Sequence, residues 1–287
     1  MNYSRTFRVE PGSRVRLKDC DPELTDKHEE KKHAREELAS LQQRMDALQF
    51  QLYAEQKRSL LICLQAPDAG GKDGVIRHVI SAMNPQGCRV VGFKQPSTLE
   101  RSHDFLWRVE RETPKCGEVA VFNRSHYEDV LIVRVHDLVP KEIWSERYEQ
   151  INAFERRLVA NGTQILKFFL HISKEEQLER FKERLDDPER HWKISDADYA
   201  ERAYWDDYET AYEDALSRCS TVDAPWFVIP SDHKWFRNLA VARIIVDTME
   251  SLGIEVPKPT VDIADIRKRY HWAETRYEAQ AGNDSDA

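Results

Sequence analysis

Five short apolar runs, SLLICLQA (59–66), CRVVGFKQ (88–95), EVAVFNRS (118–125), TQILKFFLHIS (163–173) and PWFVIPSD (225–232), alternate with stretches of helical pattern. Near-continuous apolar strands are buried on both faces, and parallel strands need a crossover, usually a helix, between them. The expected architecture is therefore α/β, a three-layer α/β/α sandwich around a parallel sheet. At 287 residues the chain is long enough to bury a large core of this kind.

The segments outside the runs divide the chain. Residues 1–57 read as an N-terminal arm and a long helix. The arm, with Pro11, Gly12 and Pro22, has little periodicity and is expected to be irregular. From His28 to Gln56 the spacing of Leu38, Leu41, Met45, Leu48 and Leu52 is that of one amphipathic helix, lying against the core or another subunit. Residues 58–257 form the core. Its connection from about 174 to 224 is too long for a compact loop and helical in pattern, so it is expected to be a mobile cover over the site. Residues 258–287 are a polar tail whose end, AQAGNDSDA, has the composition of disorder.

Composition narrows the function classes. A net charge of −8 argues against a broad basic face for nucleic acid, so a polyanionic ligand would be gripped locally. No run approaches the roughly eighteen apolar residues of a membrane span, and the start MNYSRTFRVE lacks a signal-peptide core; a cytoplasmic protein is expected. The five cysteines are scattered with no C-x-x-C pair, and no H-E-x-x-H occurs among the ten histidines, so neither a zinc site nor another histidine metal centre is expected.

The first run ends in QAPDAGGKDG (65–74), where a strand gives way to the helical run GVIRHVISAM. A phosphate loop reads G-x-x-x-x-G-K-[ST] and occupies this place. Here Ala66 replaces the first glycine and Asp73 the hydroxyl residue. Gly70 and Gly71 let backbone amides approach phosphate oxygens, and Lys72 adds a full charge. With the hydroxyl gone, a hard cation needs another oxygen, which Asp68 offers. Asp73 is a second candidate, or an acid favoured by the dipole of the first helical turn.

The third run ends in VFNRSHYEDV (121–130), and the carboxyl end of a parallel strand faces the ligand crevice. Asn123 stands where a carboxylate often reaches magnesium. Arg124 can bind a phosphoryl group through two N–H donors, or form a structural salt bridge. Glu128 and Asp129 would position a nucleotide acceptor or a second metal, or cap a helix. His126 is read as a packing or hydrogen-bonding residue. In the long insert, Arg180 and Arg184 share a helix face and Lys193 follows a turn, so these cations would close over a phosphate chain and exclude water. Trp192, Trp205 and Tyr208 read as the core of that cover before they read as stacking platforms. Lys234 and Arg237 in SDHKWFRN, and Asp104 and Arg108 upstream, would line the crevice or pair with acids elsewhere.

Four motifs in order, DAGGKDG (68–74), FNRSHYEDV (122–130), RLDDPERHWK (184–193) and APWFVIPSDHKWFRN (224–238), closely resemble the family-2 polyphosphate kinases. The correspondence runs from about Tyr53 to Glu250. It implies a P-loop kinase core like that of the thymidylate kinases with a helical lid, moving phosphoryl groups between inorganic polyphosphate and nucleotides with Mg2+. By this likeness Asp68 holds the metal, and Lys72 and Arg124 grip the moving phosphoryl group. Ala69, Gly70, Gly71, Asp73, Gly74, Asn123, Glu128 and Asp129 line the phosphate and nucleotide site, while Arg180, Arg184 and Lys193 serve the lid. Many relatives carry Asp in place of Asn123, and Trp-Tyr-Asn in place of His126, Tyr127 and Glu128. The NRSHYEDV form resembles the branch that accepts nucleoside mono- and diphosphates, which makes Glu128 a candidate for selecting the acceptor. The likeness also implies a homo-oligomer, a dimer or a tetramer.

The implied reaction is in-line attack by a nucleotide's terminal phosphate oxygen. That nucleophile is already anionic, so alignment and charge neutralisation suffice without a general base. Two rival readings are an ATP-dependent nucleotide kinase on the same core and a polyphosphate-binding protein without turnover.

Overall fold

The computed structural model describes residues 2–25 and 31–284. It divides into two compact units, Met1–Glu255 and Val256–Ala287.

In the first unit the apolar runs form strands β1 (Ser59–Gln65), β2 (Cys88–Gly92), β3 (Val119–Asn123), β4 (Thr163–His171) and β5 (Trp226–Pro230). They pair only in parallel, in the spatial order β2-β3-β1-β4-β5. Helices cover both faces: α1 (Lys31–Glu55), α2 (Lys72–His78), α3 (Lys141–Ala160), α4 (Lys174–Asp186), α5 (Trp205–Cys219) and α6 (Lys234–Ser251). Alternation along a strand explains the two layers. Leu60, Ile62 and Leu64 of β1 pack in one cluster with residues of α1, α2 and α6, while Leu61 and Cys63 join the opposite cluster with Phe154 of α3. The expected three-layer sandwich is what forms.

Helix α1 buries Leu41, Met45 and Leu52 in that first cluster, with Leu38 and Leu48 packed against it. Each fully buried side chain of this size contributes about 2 kcal/mol. The helix therefore serves the core of its own chain. His28 to Glu30, where its start was expected, lie outside the described residues.

The N-terminal arm is more ordered than its composition predicts. Arg8 forms an antiparallel bridge with Phe227, the Val9 N–H donates to the Trp226 carbonyl at 2.9 Å, and the Val228 N–H donates to the Phe7 carbonyl at 2.9 Å. Tyr3 and Phe7 both pack against the ring of Phe236. The arm thus covers the free edge of β5, which an open sheet would otherwise expose to foreign strands. Its buried apolar anchors, Tyr3, Phe7, Val9 and Leu17, are too few to produce a sustained periodic signal. At the other edge, β2 is only half covered and Val90 is exposed.

The second unit contains α7 (Ile263–Asp284). Composition predicts disorder from Ala279 onward, yet the helix, which begins in a stretch with Arg267, Lys268, Arg269, Ala273, Glu274 and Arg276, continues to Asp284. Ser285–Ala287 lie outside the described residues. Among the described residues no helix is long and apolar enough to cross a membrane.

Candidate active site

The register of the sheet builds the site. Leu64 of β1 lies opposite Asn123 of β3, so the turn after β1 and the turn after β3 leave the same edge side by side. The turn after β1 is tight: the Gly70 N–H donates to the Pro67 carbonyl at 3.0 Å, Ala69 has φ 59°, and Gly71 has φ 112°. A Cβ on Gly70 would lie 2.5 Å from the Ala66 Cβ, and one on Gly71 would overlap Arg237 Nη1. Gly70 is therefore required by space, and Gly71 by its conformation.

Lys72 lies at the start of α2, and its ammonium donates to the Ala66 carbonyl at 2.7 Å and the Pro67 carbonyl at 3.3 Å. Burial pushes its pKa down, while Asp68 pulls it back up. Arg124 crosses from β3 to meet Asp68, with Nη2 to Oδ1 at 2.9 Å. Burial opposes the charge on Arg124, but Glu128 and Asp68 hold its pKa above the ordinary arginine value. Glu128 is pushed up by burial, against the pull of Arg124 and Lys72. Asp68, Lys72, Arg124 and Glu128 thus form one coupled electrostatic group.

Asp73 lies one step outside this group. Asn123 Nδ2 donates to its Oδ1 at 3.1 Å, and Lys193 Nζ donates to its Oδ2 at 3.1 Å. Burial works against the charge, yet these two bonds keep the Asp73 carboxyl below its ordinary pKa. The amide of Asn123 is thereby committed to Asp73. Asp129 turns away to Arg147, whose Nη1 donates to its Oδ1 at 3.1 Å, and burial raises its pKa to about 6 despite that partner.

The cations of the long insert divide by role. Arg180 is buried and donates to the backbone carbonyls of Ala69, Ser231 and Asp232, and to Glu176 Oε1 at 2.7 Å. It clamps the loop that carries Asp68, which differs from a cation presented to open solvent. Gln177, a polar helix residue with no signal of its own in the sequence, donates to the Asp68 carbonyl at 2.8 Å. Arg184 pairs with Asp198 at 3.2 Å, within the insert. Lys193 alone of the three spans the mouth, to Asp73.

Beneath the insert is a cavity of about 250 Å³. Its lining combines Asp68, Arg124 and Glu128, and the charged Asp198, Glu201 and Arg202 of the insert, with the apolar and aromatic side chains of Leu131, Phe169, Trp205, Tyr208 and Tyr212. Trp205 and Tyr208, expected in the core of the cover, face this space, while Trp192 is exposed. Arg237 packs under Gly71 and Gly74, bonds to Asn238 Oδ1, and is pushed down to a pKa of about 9 by burial and then by Arg180. Arg108 instead donates to the Lys94 carbonyl at 2.8 Å. Only tertiary packing separates these two arginines. His126 is buried and hydrogen-bonded to Glu155 at 3.1 Å, in keeping with its sequence reading.

Comparisons with known proteins agree with this geometry. Residues 28–256 match the family described as polyphosphate kinase 2. The chain is 50% identical over 256 residues to an AMP/ADP-polyphosphate phosphotransferase of Meiothermus ruber, covering 89% of this chain and 96% of that one. It is 48% identical over 269 residues to an ADP-polyphosphate phosphotransferase of Rhodopseudomonas palustris, covering 90% and 93%. The crystal structure of polyphosphate kinase 2 from Arthrobacter aurescens TC1 superposes with a TM-score of 0.90 at 43% identity, over 94% of this chain and 96% of that one.

Proposed function

The chain belongs to the polyphosphate kinase 2 family, and from that premise we propose that it transfers phosphoryl groups between inorganic polyphosphate and nucleoside mono- and diphosphates. The observation that carries the reading is the meeting of Arg124 with Asp68 at 2.9 Å on the wall of a cavity that also receives Glu128. The aromatic side chains of the lining suit a nucleobase, and Arg124 suits the acceptor's phosphate.

The acceptor oxygen is anionic, so the site has only to align it and disperse charge. Arg124 presents a planar fork to the equatorial oxygens of the moving phosphoryl group. Lys72 turns its ammonium from the loop carbonyls toward the donor chain. Glu128, whose charge is disfavoured by burial, accepts or donates a hydrogen bond at the acceptor and so bears on which nucleotide fits.

The donor set fits magnesium. Among the described residues no group of three or more His, Cys, Asp or Glu gathers to hold a metal, whereas Mg2+ in phosphoryl-transfer sites takes one or two carboxylates and completes its shell with phosphate and water. Asp68 would hold it, and the ion would supply positive charge to the phosphate oxygens. Asp68→Asn is expected to lower activity in a way that raised magnesium partly restores; a loss indifferent to magnesium concentration removes Asp68 as the ligand.

The deciding experiment supplies AMP and magnesium with either polyphosphate or ATP and follows ADP. Product from polyphosphate is the expected result. Product from ATP alone points to a nucleotide kinase, and saturable polyphosphate binding without product points to a binding protein. The family likeness also supports a homo-oligomer; light scattering that returns the monomer mass of 33.7 kDa overturns that part.

A further inference from the structure

Directly behind the reacting edge of the sheet lies a buried ionic network that the reaction does not touch. Lys167 of β4 donates to three acceptors: Glu155 Oε2 at 2.6 Å, the Cys219 carbonyl at 2.6 Å and the Tyr127 hydroxyl at 2.9 Å. The Tyr127 hydroxyl in turn donates to Glu155 Oε1 at 2.9 Å, and His126 Nε2 reaches the same oxygen at 3.1 Å. All four side chains are buried. Burial opposes the charge on Glu155, yet Lys167 and then His126 keep its pKa below the ordinary value, while burial lowers that of His126.

An enclosed Lys–Glu pair is a poor source of stability, because desolvation offsets most of the attraction and apolar residues of like volume do as well. In some proteins such a network, when fully hydrogen-bonded, instead fixes a single geometry. The chain segment it fixes begins at Arg124, whose φ of 63° is a left-handed conformation costing a bulky residue about 1 kcal/mol or more. Arg124 N–H donates to the Leu64 carbonyl at 3.1 Å, and Gln65 Nε2 donates to Ser125 Oγ at 3.2 Å. The next two residues are His126 and Tyr127, sunk into the network, and then Glu128 returns to the cavity.

We propose that Glu155 and Lys167, acting through His126 and Tyr127, are positioning residues that hold Arg124 in its left-handed turn and aim its guanidinium at the transferred phosphoryl group. The inference rests on the phosphoryl-transfer reading of the site. Arg124 has a long side chain, and without a fixed backbone its fork would sample many directions; misplacement by about 1 Å can cost on the order of 100-fold in rate. The network acts on kcat through the orientation of Arg124, and the donor's loop, which carries Lys72, lies outside the segment it fixes.

Tyr127→Phe tests this with the loss of one hydroxyl. It is expected to lower kcat about tenfold with KM for polyphosphate within twofold, and to have no further effect on kcat when made on an Arg124→Lys background, since the two changes remove the same function. A second variant, Lys167→Met with Glu155→Gln, removes both charges together; it is expected to melt close to the wild type and to lose kcat in the same way. An active wild type whose Tyr127→Phe variant retains its kcat, or whose losses add across Arg124→Lys, overturns the inference alone. A wild type inert toward polyphosphate overturns the reading of the site and the inference with it.

Discussion

Arg180 and Lys72 carry the same formal charge beside the same loop, yet their surroundings divide their roles. Arg180 holds three backbone carbonyls, so its charge steadies the loop. Among the described residues Lys72 donates to the Ala66 and Pro67 carbonyls, and in the proposed reaction it is the cation that turns to the phosphate chain. Lys72→Ala is expected to lower kcat about a thousandfold, a loss on the scale of a charge that acts in the transition state, with an unchanged circular-dichroism spectrum. Near-wild-type turnover would remove the loop from the mechanism. Gly71→Ala meets two penalties, the positive φ of 112° and a Cβ placed into a buried guanidinium. It is expected to lose about 2 kcal/mol or more of stability in denaturant titration. The need for Gly71 was legible in the sequence, because a glycine pair before lysine after a strand has few other uses. The role of Arg180 was not, because nothing in its spacing distinguishes a clamp from a solvated charge.

The insert from 174 to 224 is the element in which sequence and structure agree on form and differ on detail. Ser173, Asp187 and Ser195 each cap a following helical segment through their side chains, and such residues before a helical run are readable without coordinates. Arg180 and Gln177 tie the base of the insert to the loop carbonyls, while its far turn reaches the mouth of the site through an exposed pair, Lys193 with Asp73 at 3.1 Å. Exposed pairs are worth little to global stability; in the proposed function this one holds the cover closed. Lys193→Ala is expected to leave the melting temperature within about two degrees and to raise phosphate released to water per ADP formed. An unchanged hydrolysis ratio counts against closure through this pair. The pair has a defined acid limit as well. The folded carboxyl of Asp73 has a pKa below its unfolded value, so the favourable term is fully present above the ordinary carboxylate range and is lost only as pH falls through the depressed folded pKa. The latch is therefore intact across neutral pH.

For the molecule taken whole, the unexpected feature is the arm, whose deletion would expose the β5 edge. Phe7→Ala is expected to cost about 3 kcal/mol or more, as truncation of a buried aromatic does, and removal of residues 2–9 to add concentration-dependent light scattering from edge pairing. Unaltered melting in both variants would show that the arm is not part of the core. The parallel sheet, its helical layers, the glycine turn after β1 and the family were all readable from the chain as written, because strand burial and helical periodicity are local patterns and the turn is a contiguous motif. Folding in three dimensions was needed to show that Arg124 meets Asp68, that Arg180 and Arg237 brace the loop from behind, and that Lys167 reaches the segment after β3. Those contacts join residues tens of positions apart, and side-chain charge in a sequence carries no direction; only the packed sheet, with β1 between β3 and β4, gives it one.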